Sequence, residues 1–72
     1  MSVMALLSTV ALLQDIPERA LQRGQVGTII EVLSGGAYEV DFSDDSGQTY
    51  ASFAISGVCL LPLVHEPASR AA

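Results

Sequence analysis

Cys59 and His65, near the end of the sequence, are residues of the types that act as nucleophile and base in cysteine catalysis. Cysteine catalysis requires a thiolate with an imidazole within hydrogen-bonding distance, commonly oriented by a third group. These two residues are six positions apart, with Pro62 between them, and His65 falls in or next to a predicted tail. An unreactive apolar cysteine is the favoured interpretation, and two ligands are too few for a structural zinc ion.

Acidic side chains are the other groups that could do chemistry, and they cluster around one turn. Asp41, Asp44 and Asp45 surround a turn that contains glycine, but the adjacent Asp44 and Asp45 break the spacing of a calcium-binding loop. Glu39 and Asp41 share one face of a predicted strand, with carboxylates about 7 Å apart. Glycosidases pair carboxylates, but they do so in a deep pocket that holds a sugar. We therefore predict an outward strand face, with no catalytic, metal-binding or cofactor-binding residues.

The composition favours a protein partner over nucleic acid or a membrane. The 72 residues make one small domain, near the size at which a core alone barely holds a fold. Half of the residues are hydrophobic and 15% are charged, so we expect some apolar surface to remain exposed as a contact patch. The net charge of −5, with three cationic residues, repels phosphate backbones and anionic lipids. Another protein, basic in character, or a further copy of the chain fits better.

The first thirteen residues are uncharged and mostly apolar, which raises the question of a secretory signal. They lack a positively charged start and a small-residue cleavage site, and they are too short to span a bilayer. A single cysteine agrees with a reducing compartment. We therefore expect a cytoplasmic protein.

Runs of β-branched and aromatic residues predict five short strands, separated by glycine-containing turns. A helical turn beginning at Pro17 is predicted in the first connection, with Asp15 near its start. A second helical turn is predicted at Ser56 and Gly57, before the last strand. The predicted strands cover residues 10–13, 26–33, 37–42, 48–55 and 58–61.

Alternation along the two central strands predicts which side chains face the core. In the third strand, Tyr38, Val40 and Phe42 are predicted to point inward, and Glu39 and Asp41 to point to water. The second strand is apolar on both faces, so it is expected to bend or to be covered twice. One of its faces carries Ile29, Glu31 and Leu33, and the other carries Val26, Thr28, Ile30 and Val32.

The order of these elements predicts an all-β fold, a small five-stranded SH3-like barrel with short helical turns in the first loop and before the last strand. Residues 1–8 are expected to form a disordered or extended N-terminus. Residues 9–64 are expected to form the barrel, and residues 65–72 a flexible C-terminal tail. A barrel of this size fills its interior with its own side chains, which leaves the outside for function.

The segments 24–28 and 37–40 are the most specific parts of a pattern that extends from residue 9 to residue 63. On this pattern the chain resembles the small bacterial proteins grouped as domain of unknown function 4926. The resemblance implies an SH3-like fold and no particular chemistry, because the family carries no agreed activity. The segment 24–32 is also weakly similar to the KOW motif of ribosomal and transcription-associated proteins. Only Arg23 is basic near this segment, which favours shared hairpin geometry over shared RNA binding.

Binding is the function that these observations leave. The leading hypothesis is a non-catalytic protein-binding module, such as an accessory subunit or a neutralising partner of the antitoxin or immunity type, with its partner encoded nearby. The alternatives are a KOW-like RNA-binding module and a structural subunit that completes the enzyme site of another chain. An edge strand, the first or the last, could also accept a strand from another copy or another protein. The predicted protein-binding face has an apolar centre rimmed by charge and consists of Ile29, Glu31, Leu33, Glu39, Asp41 and Tyr50.

Overall fold

The computed structural model describes residues 4–63, so His65 and the predicted tail 65–72 lie outside the described residues. Five antiparallel strands form one sheet, which confirms the predicted all-β fold. Three short 3₁₀ turns connect them, at Pro17–Arg19, Ser34–Gly36 and Gly57–Cys59. The strands are β1 (Thr9–Leu12), β2 (Val26–Val32), β3 (Ala37–Ser43), β4 (Thr49–Ser56) and β5 (Leu60–Pro62).

The strand order across the sheet is β4-β3-β2-β1-β5. This order, with a long first connection and a 3₁₀ turn before β5, is that of the predicted SH3-like barrel. The sheet is open between β4 and β5, which are its two edges. The first strand lies inside the sheet between β2 and β5, so the prediction that it could be an edge is wrong. No helix within residues 4–63 is long and apolar enough to cross a membrane.

The core lies on one face of the sheet and follows the period of two in the strands. Five of its side chains are essentially without solvent contact: Val10 and Leu12 from β1, Ile29 from β2, and Val40 and Phe42 from β3. Fully burying one side chain of this size stabilises a fold by about 1.5–3 kcal/mol. The predicted inward face of β3 is therefore correct. The other buried residues are Leu21, Tyr38, Ile55 and Leu60.

A bulge in β2 changes which of its residues face outward. Ile29 lies opposite Val40, but the next paired residue is Glu31, opposite Glu39, so that Ile30 is the extra residue. An extra residue in one strand shifts the alternation of side chains beyond it. Ile29 comes before the bulge and points into the core with its partner Val40, at 0% exposure, whereas Glu31 comes after it and lies on the outer face with Glu39. The assignment of Ile29 to an exposed binding face is wrong.

Residues 4–8, expected to be disordered or extended, instead form a turn that is bonded to the sheet. The Leu7 N–H donates to the Ile29 carbonyl at 2.6 Å, and the Ile29 N–H donates to the Ser8 carbonyl at 2.9 Å. The Met4 N–H donates to the Tyr38 hydroxyl at 3.2 Å, and the Met4 side chain packs against the core. This apolar turn therefore continues the pairing of the short β1 with β2.

The connection between β1 and β2 forms a compact loop. Its 3₁₀ turn appears where it was predicted, but Asp15 does not cap it. The Asp15 carboxylate instead accepts a hydrogen bond from the Arg23 N–H at 2.8 Å, which ties together the two ends of the loop. Ile16 and Leu21 pair as an isolated bridge within the loop. The loop is thereby held as a structured unit beside the sheet.

Asp44 organises the tight turn between β3 and β4. Its Oδ1 atom accepts hydrogen bonds from the Ser46 hydroxyl at 2.8 Å, the Gln48 N–H at 2.9 Å and the Ser46 N–H at 3.0 Å. The Gln48 N–H above all, and then the Ser46 hydroxyl, hold the pKa of Asp44 below its ordinary value because they stabilise the carboxylate.

We expect this turn to make the stability of the domain sensitive to acid. A carboxylate whose pKa is lower in the folded than in the unfolded chain stabilises the fold above its unfolded pKa of about 3.9. That stabilisation is lost as the pH falls through the lower, folded pKa. Asp44→Asn keeps an acceptor oxygen but does not titrate. When the pH is lowered from 6 to 2, the urea concentration at the midpoint of unfolding should therefore decrease less for this variant than for the wild type. Asp45→Asn removes the same charge one residue away, and its stability should remain as sensitive to acid as that of the wild type. If the two variants were equally sensitive to acid, Asp44 would not be the source of the sensitivity.

Candidate functional site

The outer face of the sheet, opposite the core, is acidic across β2 and β3. Asp41 in β3 lies between Thr28 of β2 and Ser52 of β4. Glu39, also in β3, lies directly opposite Glu31 of β2. We call Glu31, Glu39 and Asp41 the acidic half of the outer face.

Hydroxyl groups on β4 and on β3 itself hold two of these carboxylates, those of Asp41 and Glu39, in place. The Thr49 hydroxyl donates to Oδ1 of Asp41 at 2.8 Å, and the Ser43 hydroxyl donates to Oδ2 at 3.1 Å. The Ser52 hydroxyl donates to Glu39 at 3.3 Å. Glu31 and Glu39 nevertheless remain a directly opposed pair of like charges, which is unfavourable in a sheet. A cationic group between them would relieve this repulsion.

The outer face is apolar on the other side, across β2, β1 and β5. Ala11 of β1 pairs with Val26 of β2 and with Leu61 of β5, so these three residues form a row across three strands. Val26 and Leu61 are each 48% exposed. Leu13 follows two positions after Ala11 and is 45% exposed. We call Ala11, Leu13, Val26 and Leu61 the apolar half of the outer face.

The structure brings together only part of the predicted binding face. Glu31, Glu39 and Asp41 share the outer face, whereas Ile29 is in the core. Leu33 is half-buried at the start of the turn to β3, where its N–H donates to the Ala37 carbonyl at 3.0 Å. The role of these side chains in binding stays a prediction.

Tyr50 lies apart from the acidic half, at a second irregularity of the sheet. The register passes from the pair Phe42–Ala51 to the pair Ser43–Thr49 and leaves Tyr50 unpaired. The Tyr50 hydroxyl accepts a hydrogen bond from the Gln25 side chain at 3.0 Å. Its ring centroid is 6.4 Å from that of the core residue Phe42. Tyr50 thus covers the sheet beside the first loop, although half of it remains exposed.

A groove of about 380 Å³ lies between the first loop and β4. The loop contributes Asp15, Ile16, Glu18 and Arg19 to one wall, and residues 53–56 of β4 form the other. We call this the β4 groove. Sequence reasoning did not identify it, because it depends on how the loop folds back on the sheet.

A family model described as Domain of unknown function (DUF4926) matches residues 6–61 of the chain. The chain belongs to this family. The match includes β1 to β4 in full and two of the three residues of β5. No curated protein and no solved structure matches the chain. The family description assigns no activity.

Of the two residues first considered for catalysis, the structure describes Cys59, and His65 lies outside the described residues. Cys59 is half-buried in the last 3₁₀ turn and packs against the core, as an apolar cysteine does. Within residues 4–63, no three histidine, cysteine or acidic side chains are grouped in a way that could hold a metal ion. The outer face and the β4 groove are the candidate sites that the described residues form.

Proposed function

We propose that this family member is a non-catalytic protein-binding module that holds a basic partner protein against the outer face of its sheet. The observation that carries the proposal is the apolar row of Ala11, Val26 and Leu61, which lies on the same face as the acidic half. Accessory subunits and neutralising partners of the antitoxin or immunity type are modules of this kind. We expect it to act in the cytoplasm, with a partner encoded nearby.

The apolar half supplies the driving force for such an interface. Val26, Leu61 and Leu13 each leave nearly half of their surface in water, and apolar burial stabilises a complex by roughly 25 cal/mol per Å². Neighbouring strands hold these side chains at fixed positions, so little conformational entropy is lost when a partner covers them. An apolar centre with a polar margin is the common anatomy of a protein interface.

The acidic half of the outer face favours a partner with a positively charged surface. Lysine or arginine side chains placed near Glu31 and Glu39 would relieve the repulsion between these opposed carboxylates. The net charge of −5 would also speed association with a basic protein. A second copy bound through the same face would bring further carboxylates to this surface, and a phosphate backbone would be repelled. A basic protein is therefore favoured over a homo-oligomer or RNA.

We expect Leu61→Asp to weaken partner binding at least tenfold, because it places a charge within the apolar half of the outer face. The tagged protein would be used to recover its partner from native cells, and affinity would be measured with the purified partner. Leu6→Asp is the matched control: Leu6 is exposed in the N-terminal turn, outside the apolar half, and this variant should bind like wild type.

Salt provides a second readout, since an acidic face that binds a basic partner should lose affinity as ionic strength rises. Recovery of the protein solely as a free monomer would contradict the proposal. So would recovery of RNA instead of a protein, or equal binding by the Leu61 and Leu6 variants. An enzyme whose activity depends on the module would support the hypothesis of a subunit that completes another chain's site.

A further inference from the structure

The β4 groove runs along the edge of a strand. Four consecutive residues of β4, numbered 53–56, line it. Successive residues of a strand point to opposite faces of the sheet, so a groove that contacts all four must follow the strand's backbone. Four residues of strand span about 13 Å, which is the length available to a ligand.

This edge of β4 has free hydrogen-bonding capacity. β4 is the last strand of the sheet and pairs with β3 on its other side. In the part of the chain that the structure describes, no further strand pairs with it. The N–H and C=O groups that point away from β3 are therefore open to an additional strand. At eight residues, β4 is the longest strand of the sheet.

The groove already contains one cationic group from the chain itself. The Cζ atom of Arg19 lies over the Phe53 ring, 4.2 Å from its centroid. A guanidinium in this position is attracted by the negative face of the ring. Asp15 and Glu18 line the same groove, so the site combines an aromatic platform, two carboxylates and a free backbone edge.

We propose that the β4 groove is a second binding site, which accepts an extended basic segment of a partner protein. The segment adds a strand to the free edge of β4, and one of its arginine side chains replaces Arg19 on the Phe53 ring, with Asp15 and Glu18 beside it. Backbone pairing supplies affinity, and the aromatic and acidic groups supply preference for a cation. The inference is independent of the proposed function, because the groove uses none of the residues that form the acidic half or the apolar half of the outer face.

The test uses the full chain and a blocked five-residue peptide in which threonine and valine flank a central arginine. Binding is followed by the NMR signals of the backbone amides. We expect saturable shifts at residues 53–56. A peptide with glutamate in place of arginine should bind at least tenfold more weakly. Absence of shifts at residues 53–56 up to millimolar peptide, or equal binding of the glutamate peptide, would overturn the proposal.

Backbone methylation separates strand addition from simple charge attraction. The amide N–H groups of an extended peptide point alternately to its two sides. Two peptides, methylated on alternate sets of amide nitrogens, should therefore differ: one should lose binding and the other should keep it. Equal effects of the two methylation patterns would refute pairing with β4.

Arg19→Ala removes the internal competitor for the Phe53 ring. An exposed contact of this type is weak, so the arginine peptide should bind about two- to fivefold more tightly to this variant. Arg23→Ala changes the net charge equally and should have no such effect. Glu18→Gln should weaken peptide binding, whereas Leu61→Asp on the outer face should leave it unchanged. The last comparison distinguishes failure of this site from failure of the proposed function.

Discussion

Replacing Phe42 with alanine is expected to destroy the stable fold. Phe42 is without solvent contact at the centre of the core and packs against the Phe53 ring at a centroid distance of 5.9 Å. Removing a buried phenylalanine side chain costs about 3–5 kcal/mol. A domain of this length has a total stability of about 4–11 kcal/mol, and the smallest domains lie towards the lower end. The variant should unfold at least about 12 °C below wild type or show no cooperative transition.

Tyr50→Ala is the matched control for this prediction. It truncates an aromatic side chain on the adjacent strand, but one that is half exposed, so it should cost about 1 kcal/mol. Both variants would be measured by circular dichroism during heating and by urea unfolding. If Phe42→Ala unfolds at the same temperature as Tyr50→Ala, Phe42 does not lie at the centre of the core.

Gly27→Ala is expected to have the second largest effect, because β2 and β3 are in close contact at this residue. A Cβ atom on Gly27 would lie 2.7 Å from Cγ1 of Val40 and 2.9 Å from the backbone oxygen of Asp41. The side chain of Val40 is enclosed in the core and the oxygen belongs to the paired strand, so neither can move freely. Overpacking of this kind costs about 1–3 kcal/mol, and contact with backbone favours the upper part of that range.

Gly24→Ala separates this steric effect from a general effect of replacing glycine. Gly24 has a φ of +95° and nothing within 4 Å of the added Cβ, so its replacement costs only backbone strain, about 1–2 kcal/mol. Enlarging the residue further distinguishes the two positions. Gly27→Leu should lose clearly more stability than Gly27→Ala in urea unfolding, whereas Gly24→Leu and Gly24→Ala, neither of them branched at Cβ, should differ little. If the loss of stability at Gly27 did not increase with the size of the new side chain, the close contact between β2 and β3 at this residue would be contradicted.

Much of the fold follows from local patterns in the sequence. β3 alternates cleanly between apolar and acidic residues, and both its extent and its inward face were predicted. Gly35 and Gly36 have φ values of +76° and +78°, which an adjacent pair of glycines permits between two strands. The 3₁₀ turn at Pro17 and the break at Gly57 were also predicted from the residue types. These features depend on residues that are neighbours in the chain, so they can be predicted from the local sequence.

The error at Ile29 has a different origin. A strand with apolar residues on both faces, such as β2, fits more than one register with its neighbour. The bulge at Ile30 is set by pairing with β3 and leaves no mark in the local alternation. The composition predicted that an apolar patch is exposed, but it does not indicate which residues form the patch. Its members come from three strands, and they meet only when β1 is paired with both β2 and β5.

The β4 groove was beyond sequence reasoning for a similar reason. Arg19 and Phe53 are far apart in the chain, and their contact depends on the path of the first loop. Asp15 was interpreted as a helix cap, whereas its carboxylate binds the Arg23 N–H at the other end of that loop. Sequence patterns predict which residues form an element more reliably than they predict how a long connection packs on a sheet.

The central position of β1 has a consequence for how the protein is made. On the ribosome, β1 emerges first, but one of its two partners, β5, is the last strand to be synthesised. Until β5 emerges, Val10 and Leu12 lack the neighbours that they have in β5, namely Pro62 and Leu60. The sheet therefore cannot be completed during early translation, and until β5 is made the nascent chain carries an incompletely paired apolar strand, which favours aggregation.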